Sequence, residues 1–527
     1  MFPLSLIRHN NPELFFAIVA PVGANVGGVC EGLSDSLKGF KYKLKSIRLI
    51  EELGQFDGYL KDEPQSEYEK IENRMNEGDR FRGDMERDDA LALLALGSVI
   101  RLRPRSPEGA RTAYLFRSLK RPEEVTALRR IYGSNLILIG VHCAREARVD
   151  NLAEKIAKSN YSAQRDQYRD KAETLVLRDE SDERRSHGQR LRSAFAMADF
   201  FLDSSDPQGI RRDLERFLNL LFGKPVVTPT PDEIGMAHAY TAAMRSAEMG
   251  RQVGAAVADS WKNLVALGTN EVPKAHGGYY WDGDPHDGRD WSRGFDSSDR
   301  SKATNLGEVL KVLSENSLLS AAINDKSTAQ QVERIAPLIK HTRYMQLIEF
   351  IRAVHAEMGA LMDAASRGVS VRGCTMFVTT FPCHECARNI IASGIARVVY
   401  IEPYAKSLAL ELHSNAIQLD SEADEQKIPF VPFLGVAPRN YSNIFAMAAR
   451  KGENGDTVAW VAEEANPRVS GSFWSYLEYE KEDLNLLKQK LEQKGLDLEH
   501  NIEHNKKGNH ESLKRVSRRT QRNKQRG

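Results

Sequence analysis

The sequence predicts a two-domain α/β protein, a parallel-sheet domain followed by a second αβα domain, and three observations point to it. Short apolar runs alternate with helical stretches through roughly the first 220 residues. A proline-rich break follows at Lys224–Pro231. A second alternation of helices and strands begins beyond that break.

The first strand is the continuous apolar run Phe15–Ala20, as expected of a strand buried on both faces. A glycine-rich loop follows, Pro21–Gly28, and then a helix to about Lys38. Further strands are expected at 43–49, 112–118, 135–141 and 199–203, with helical stretches between them. Such alternation implies right-handed crossovers and parallel pairing. The segment 206–223 reads as a closing amphipathic helix ending at Gly223. The first domain is therefore placed at 1–223 and a linker at 224–231, where Pro225, Pro229 and Pro231 cannot continue a helix.

The second domain is placed at 232–480. Its pattern predicts a helix near 232–248, strands near 253–258 and 264–268, a helix at 345–367, a strand at 374–380, a helix at 383–393 and a strand at 397–401. Residues 276–304 hold five Gly and six Asp, so 274–345 reads as an insertion. The remainder, 481–527, is expected to pass from helix into a disordered basic tail, because 506–526 holds nine Lys/Arg against one Glu.

Composition bounds the function. Lys+Arg and Asp+Glu nearly cancel at 74 against 73, so global charge proposes neither nucleic acid nor membrane as a partner. The N-terminal residues lack the pattern of a secretory signal, and no apolar run approaches the ~20 residues that cross a bilayer. Five cysteines in 527 residues make no disulfide framework, which fits a reducing cytoplasm. Metal or catalytic duty is then the better reading of paired cysteines.

Two short stretches carry chemistry, His355-Ala356-Glu357 and Pro382-Cys383-His384-Glu385-Cys386. Both sit where helices should begin. A Cys-x-x-Cys at a helix start places both sulfurs on the first turn, where unpaired N–H groups and the positive dipole end favour thiolate. Two thiolates and a neutral imidazole neutralise Zn²⁺ and leave a fourth tetrahedral position open, the mark of a catalytic rather than a structural site. Zinc can lower the pKa of a bound water from ~15.7 towards ~7. A carboxylate beside the metal can then carry protons to a cytosine ring and to its departing amine, and Glu357 is placed for that. H-x-E followed by P-C-x-x-C is the zinc-deaminase signature, with the Glu as general acid/base and not a ligand. Alone, Cys-x-x-Cys would suggest a structural half-site or a redox pair. Cys374, nine residues before Cys383, reads as a strand residue rather than a fourth ligand.

The surroundings narrow the class. Arg251–Val257, Ala266–Pro273 with Asn270, His355–Met358 and Met376–Tyr400 resemble the deoxycytidylate deaminase branch of the cytidine deaminase fold, over about 235–415. The resemblance implies that Asn270 contacts the substrate nucleotide; a turn-forming Asn after a strand is the bland alternative. Glu402-Pro403-Tyr404-Ala405-Lys406-Ser407 is open to contact with base or phosphates, or is a surface turn.

In the N-terminal half, Gly23, Gly27 and Gly28 lie on a strand–loop–helix segment with the G-x-x-x-x-G spacing of a phosphate-cradling P-loop. Val29 and Cys30 stand where the loop's Lys and Ser/Thr belong, which argues against phosphoryl transfer. Backbone N–H groups leave open a nucleotide bound at this degenerate loop. Arg145 and Arg148 fall where nucleoside-monophosphate-kinase-like folds carry phosphate-contacting arginines, or else form a solvated helix face.

A degenerate kinase-like P-loop domain fused to a deoxycytidylate-type deaminase resembles the bacterial anti-phage dCTP deaminases, also through Tyr114–Glu124. The resemblance implies hydrolysis of free dCTP and dCMP to the uracil nucleotide, depletion of dCTP against phage, a regulatory small RNA as partner, and a homo-oligomer. Rival readings are a housekeeping dCMP deaminase, an RNA- or DNA-editing deaminase whose basic tail grips phosphates, and a nucleotide-binding switch on an inert deaminase scaffold. His276 and His286 read as loop histidines rather than a second metal site.

Overall fold

In the computed structural model the described residues are 11–60, 64–104, 110–181, 187–340, 342–403, 407–419, 424–446, 450–452, 454–469, 473–496 and 498. The chain folds as two units, Met1–Thr228 together with Leu434–Gly527, and Pro229–Phe433. Among the described residues no helix is long and apolar enough to cross a membrane.

The first unit is built on β1 (Leu14–Val19), β2 (Lys43–Arg48), β3 (Thr112–Leu119), β4 (Leu136–His142) and β5 (Phe200–Asp203), in the order β5-β4-β1-β3-β2. All four pairings are parallel, as the strand–helix alternation predicts. Every residue of β1 is buried, because helices cover both faces of a parallel sheet. The helix Val26–Lys38 follows β1, and the closing helix Pro207–Leu221 starts on an Asp206 cap with Pro207 in its first turn.

The second unit holds β6 (Gly254–Ala258), β7 (Leu264–Thr269), β8 (Thr375–Thr380), β9 (Arg397–Glu402), β10 (Ile417–Gln418) and β11 (Ile428–Pro432), in the order β10-β11-β9-β8-β6-β7. β8, β9, β11 and β10 run parallel, and β6 is antiparallel to both neighbours. Its first helix, Pro231–Ala243, opens on a reciprocal Thr230–Glu233 capping box, so the expected linker ends in a helix start. Two glycines let helices lie directly on this sheet. A side chain at Gly254 would meet the Ala239 carbonyl at 1.9 Å, and one at Gly268 would meet the Ala356 carbonyl at 2.0 Å.

Two expectations are corrected. The second unit stops at Phe433, not near 480. From there the chain adds β12 (Gly435–Val436) antiparallel to β5, and a helix, Phe473–Gln493, that packs on Ala90–Leu102. A buried cluster fixes that helix. Arg103 donates to both carboxylate oxygens of Glu480 at 2.7 and 2.8 Å and to Glu13 at 3.1 Å, while Tyr476 and Tyr114 also donate to Glu13. The helix expected at 345–367 begins only at Ala356. Val354 instead exchanges backbone hydrogen bonds with Glu271 at 3.0 and 3.3 Å, which holds the approach to His355 extended. Within the insertion, Ser297–Glu315 and Thr328–Ile339 are helices that pack together.

Candidate active site

His355 is the N-cap of the helix Ala356–Ser366, with extended backbone at φ −64° and ψ 149°. Glu357 lies in that helix's first turn. Cys383 is the N-cap of His384–Ser393, and its sulfur accepts the Cys386 N–H at 3.4 Å. Two helix N-termini thus bring their positive ends together, the field in which thiolates are stable.

The three expected ligands converge. Nδ1 of His355 lies 3.3 Å from the Cys383 sulfur and 3.4 Å from the Cys386 sulfur. Tetrahedral zinc with Zn–S of ~2.3 Å and Zn–N of ~2.0 Å would set N···S edges of about 3.5 Å, so the donor set fits the ion. Among the described residues this is the one group of three or more potential metal-ligating side chains. Cys374 is buried one residue before β8 and does not join this group. His276 and His286 take none either.

Electrostatics follow from the crowding. Hydrogen bonding from Cys386, together with the nearby imidazole, lowers Cys383 to about 4, while the thiol of Cys386 is pushed up. The hydrogen bond to the Cys383 thiolate raises His355 to about 9. Glu357 is 4% exposed, and its burial, with the Cys383 charge beside it, raises its carboxyl to about 7. A carboxyl poised there can both accept and return a proton near neutral pH.

The supports of the site are mostly residues that spacing does not reveal. Gly268 admits the carbonyl of Ala356 against β7, which seats the helix that carries Glu357. Glu271, 1% exposed, accepts the N–H groups of Ala247 and Val272 at 2.9 and 2.8 Å, and its backbone pairs with Val354 one residue before His355. Ser407 donates to the Pro382 carbonyl at 2.7 Å and so buttresses the Cys383 turn. Lys406 lies outside the described residues. Glu402 pairs with Arg251 at 3.3 Å.

Asn270 is 7% exposed and pins the segment before β6. Its side chain accepts the Val253 N–H at 2.7 Å and donates to the Arg251 carbonyl at 2.7 Å. One further bond remains available to each end of the amide.

The glycine loop of the first unit has a different economy. Val22 N–H donates to Asp179 at 2.7 Å, Asn25 N–H to Ser204 at 3.4 Å and Gly28 N–H to the Asn25 side chain at 3.0 Å. Ala24, Val26 and Val29 donate to loop carbonyls. Gly23 is required by its φ of +87° and by the Arg148 carbonyl 2.5 Å from where a side chain would begin. Arg148 is 7% exposed and pairs with Glu180, so it is not a solvated face; Arg145 remains partly exposed beside Glu146 and Glu180.

Residues 229–402 match the family model described as the cytidine and deoxycytidylate deaminase zinc-binding region. This segment is a deoxycytidylate deaminase-type zinc domain. The deoxycytidylate deaminase of Enterobacteria phage T4 is 48% identical over 54 residues, 10% of this chain and 28% of that protein. The human deoxycytidylate deaminase is 28% identical over 169 residues, 32% of this chain and 63% of that protein. The chain therefore spans less than two thirds of the length of these relatives. The apo crystal structure of dCMP deaminase from cyanophage S-TIM5 is similar at 15% identity and a TM-score of 0.21, covering 39% of this chain and 100% of that one. The deaminase-type zinc domain supports Zn²⁺ as cofactor, with His355, Cys383 and Cys386 a possible ligand set.

Proposed function

We propose that the second unit hydrolyses the 4-amino group of free deoxycytidine nucleotides, dCTP and dCMP, to give the deoxyuridine nucleotide and ammonia. The observation that carries the reading is the convergence of His355, Cys383 and Cys386 beside a buried Glu357 inside the matched segment. A zinc ion held by those three side chains supplies the Lewis acidity that activates a water molecule. Glu357 accepts the proton that the attacking water loses and delivers it to ring N3 as the oxygen bonds to C4. It then takes the proton of the new C4 hydroxyl and passes it to the amine nitrogen, so that the C4 carbonyl forms as the C4–N bond breaks and ammonia leaves. Asn270 uses its remaining hydrogen-bond capacity on the nucleotide while holding residues 251–253 in place.

The biological reading is depletion of dCTP as an anti-phage defence by a cytoplasmic homo-oligomer, with a small RNA regulating it through the basic tail. That tail, 506–526, lies outside the described residues. Purified protein incubated with dCTP, dCMP and CTP tests the reaction: uracil nucleotide is expected from the deoxy substrates, and no product from any of the three overturns it. Nucleotide pools in expressing cells, before and during phage infection, test the role; a dCTP pool that does not fall contradicts it. Deaminated bases in cellular RNA or DNA with free pools unchanged would favour the editing alternative.

A further inference from the structure

The first unit carries a built cavity that the deamination reading does not use. We propose that this cavity, at the carboxyl ends of β1 and β3, binds a nucleoside phosphate, with the phosphate on Arg117 and its neighbouring cations and not inside the glycine loop. The inference concerns the first unit alone and stands whether or not the second unit deaminates.

Position is the first argument. The chain leaving β1 runs towards the β2 edge of the sheet, whereas the chain leaving β3 runs towards β4 and β5. Each connection passes the other strand, so the two leave in opposite directions, and open α/β sheets bind ligands beyond the carboxyl ends of strands at such a reversal. Ala20 to Ala24 and Arg117 to Lys120 supply lining residues from those two strand ends. The cavity measures about 390 Å³, within the ~300–1,000 Å³ range of small-molecule sites.

Charge is the second. Arg48, Arg74, Arg82, Arg117, Lys120 and Lys155 line the cavity, against Glu67 alone among acids. Four of the six have protein partners: Arg48 and Arg74 share Glu51, Arg82 pairs with Glu124 and Asp79, and Lys120 pairs with Asp179. The Arg117 side chain has no hydrogen-bond or ion-pair partner among the described residues, and its Nε is fully buried and unsatisfied. Leaving such a donor unmade is expensive, and with no protein carboxylate paired to it the guanidinium is left free to meet an anion in the cavity it lines. Lys155 likewise has no ion-pair partner among the described residues and adds a second uncommitted charge.

The loop itself is closed to phosphate. Five of its backbone donors, and that of Val29 just beyond it, are already spent, and the Asp179 carboxylate sits on the Val22 N–H where an anion would be cradled. The cationic wall opposite is the remaining place for phosphate. Ile50, Ile71 and Met75 provide an apolar surface in the same cavity, suited to a base or sugar face. With Val29 and Cys30 in place of the Lys and hydroxyl of a transferring loop, the site binds without phosphoryl transfer.

The test is equilibrium binding of ATP, GTP, dTTP and pyrophosphate to the full chain, nucleotides that carry no cytosine for the second unit. At least one nucleoside triphosphate is expected to bind at one per chain and more tightly than pyrophosphate. Arg117→Met should weaken it at least tenfold, Arg117→Lys less, and Lys155→Met, on an exposed helix position, a few-fold with thermal stability unchanged. No nucleotide binding at millimolar concentration, or Arg117→Met and Lys155→Met both binding like wild type, overturns the proposal. Equal affinity for pyrophosphate overturns its nucleoside half.

Discussion

Two strand-to-helix turns in this molecule have the same local architecture and opposite chemistry. Val19 to Val26 leads from a buried strand through Gly23 into a helix, and Thr380 to His384 leads from a buried strand through Pro382 into another. In the first, the donors of the turn are consumed by Asp179, Ser204 and Asn25, so the helix N-terminus is neutralised from within. In the second, the capping groups are themselves reactive: Cys383 caps its helix through sulfur and turns that sulfur towards His355 and Cys386. A helix N-terminus is a source of positive field in both places. What differs is whether the protein fills it with its own carboxylate and amide or with groups able to hold an ion.

Cys386→Ser is the sharpest break of the comparison. It removes one of three donors without touching the Cys383 cap, and zinc by elemental analysis should fall from one per chain towards zero, with turnover. Retained zinc and turnover would remove Cys386 from the site. Arg103→Ala in the first unit should be a pure stability lesion. It strands the buried Glu13 and Glu480 carboxylates, at about 3–5 kcal/mol in denaturant unfolding. A loss below 1 kcal/mol would mean that the cluster is hydrated.

Gly268→Ala probes the second turn's support. The added carbon meets a backbone carbonyl, so the helix bearing Glu357 must shift, at ~1–3 kcal/mol by the usual overpacking range. Turnover should fall more than zinc affinity, and unchanged kinetics would show that the helix has slack. Asn25→Ala is the mildest change. It deletes an N-cap for about 1 kcal/mol of stability and should leave deamination unaltered. A collapse of deamination would show that the glycine loop matters to the chemistry.

The contrast also marks what the sequence could convey. β1 is legible because all six residues are buried and apolar, and the metal centre is legible because ligand identity and spacing are chemical constraints. The return of the chain to the first unit is not. It runs through β12, a two-residue strand with no period to read, and its helix is held by Arg103 and Glu13, far away in sequence. The start of the helix at Ala356 is hidden for a similar reason. Leu347, Ile348 and Ile351 have helical spacing, but Glu271 holds Val354 in a bridge. Resemblance alone suggests Asn270 as a substrate contact, and its two backbone bonds are a tertiary fact that no single sequence displays.

The proposed reaction requires a buried acid next to the three-donor cluster that moves protons without holding the metal. Glu357→Gln, assayed for bound zinc and for dCTP and dCMP deamination in one preparation, tests it most directly. One zinc per chain is expected, as in wild type, with turnover reduced by ~10²–10⁴-fold. Deamination at the wild-type rate, or loss of the zinc together with the activity, would contradict it.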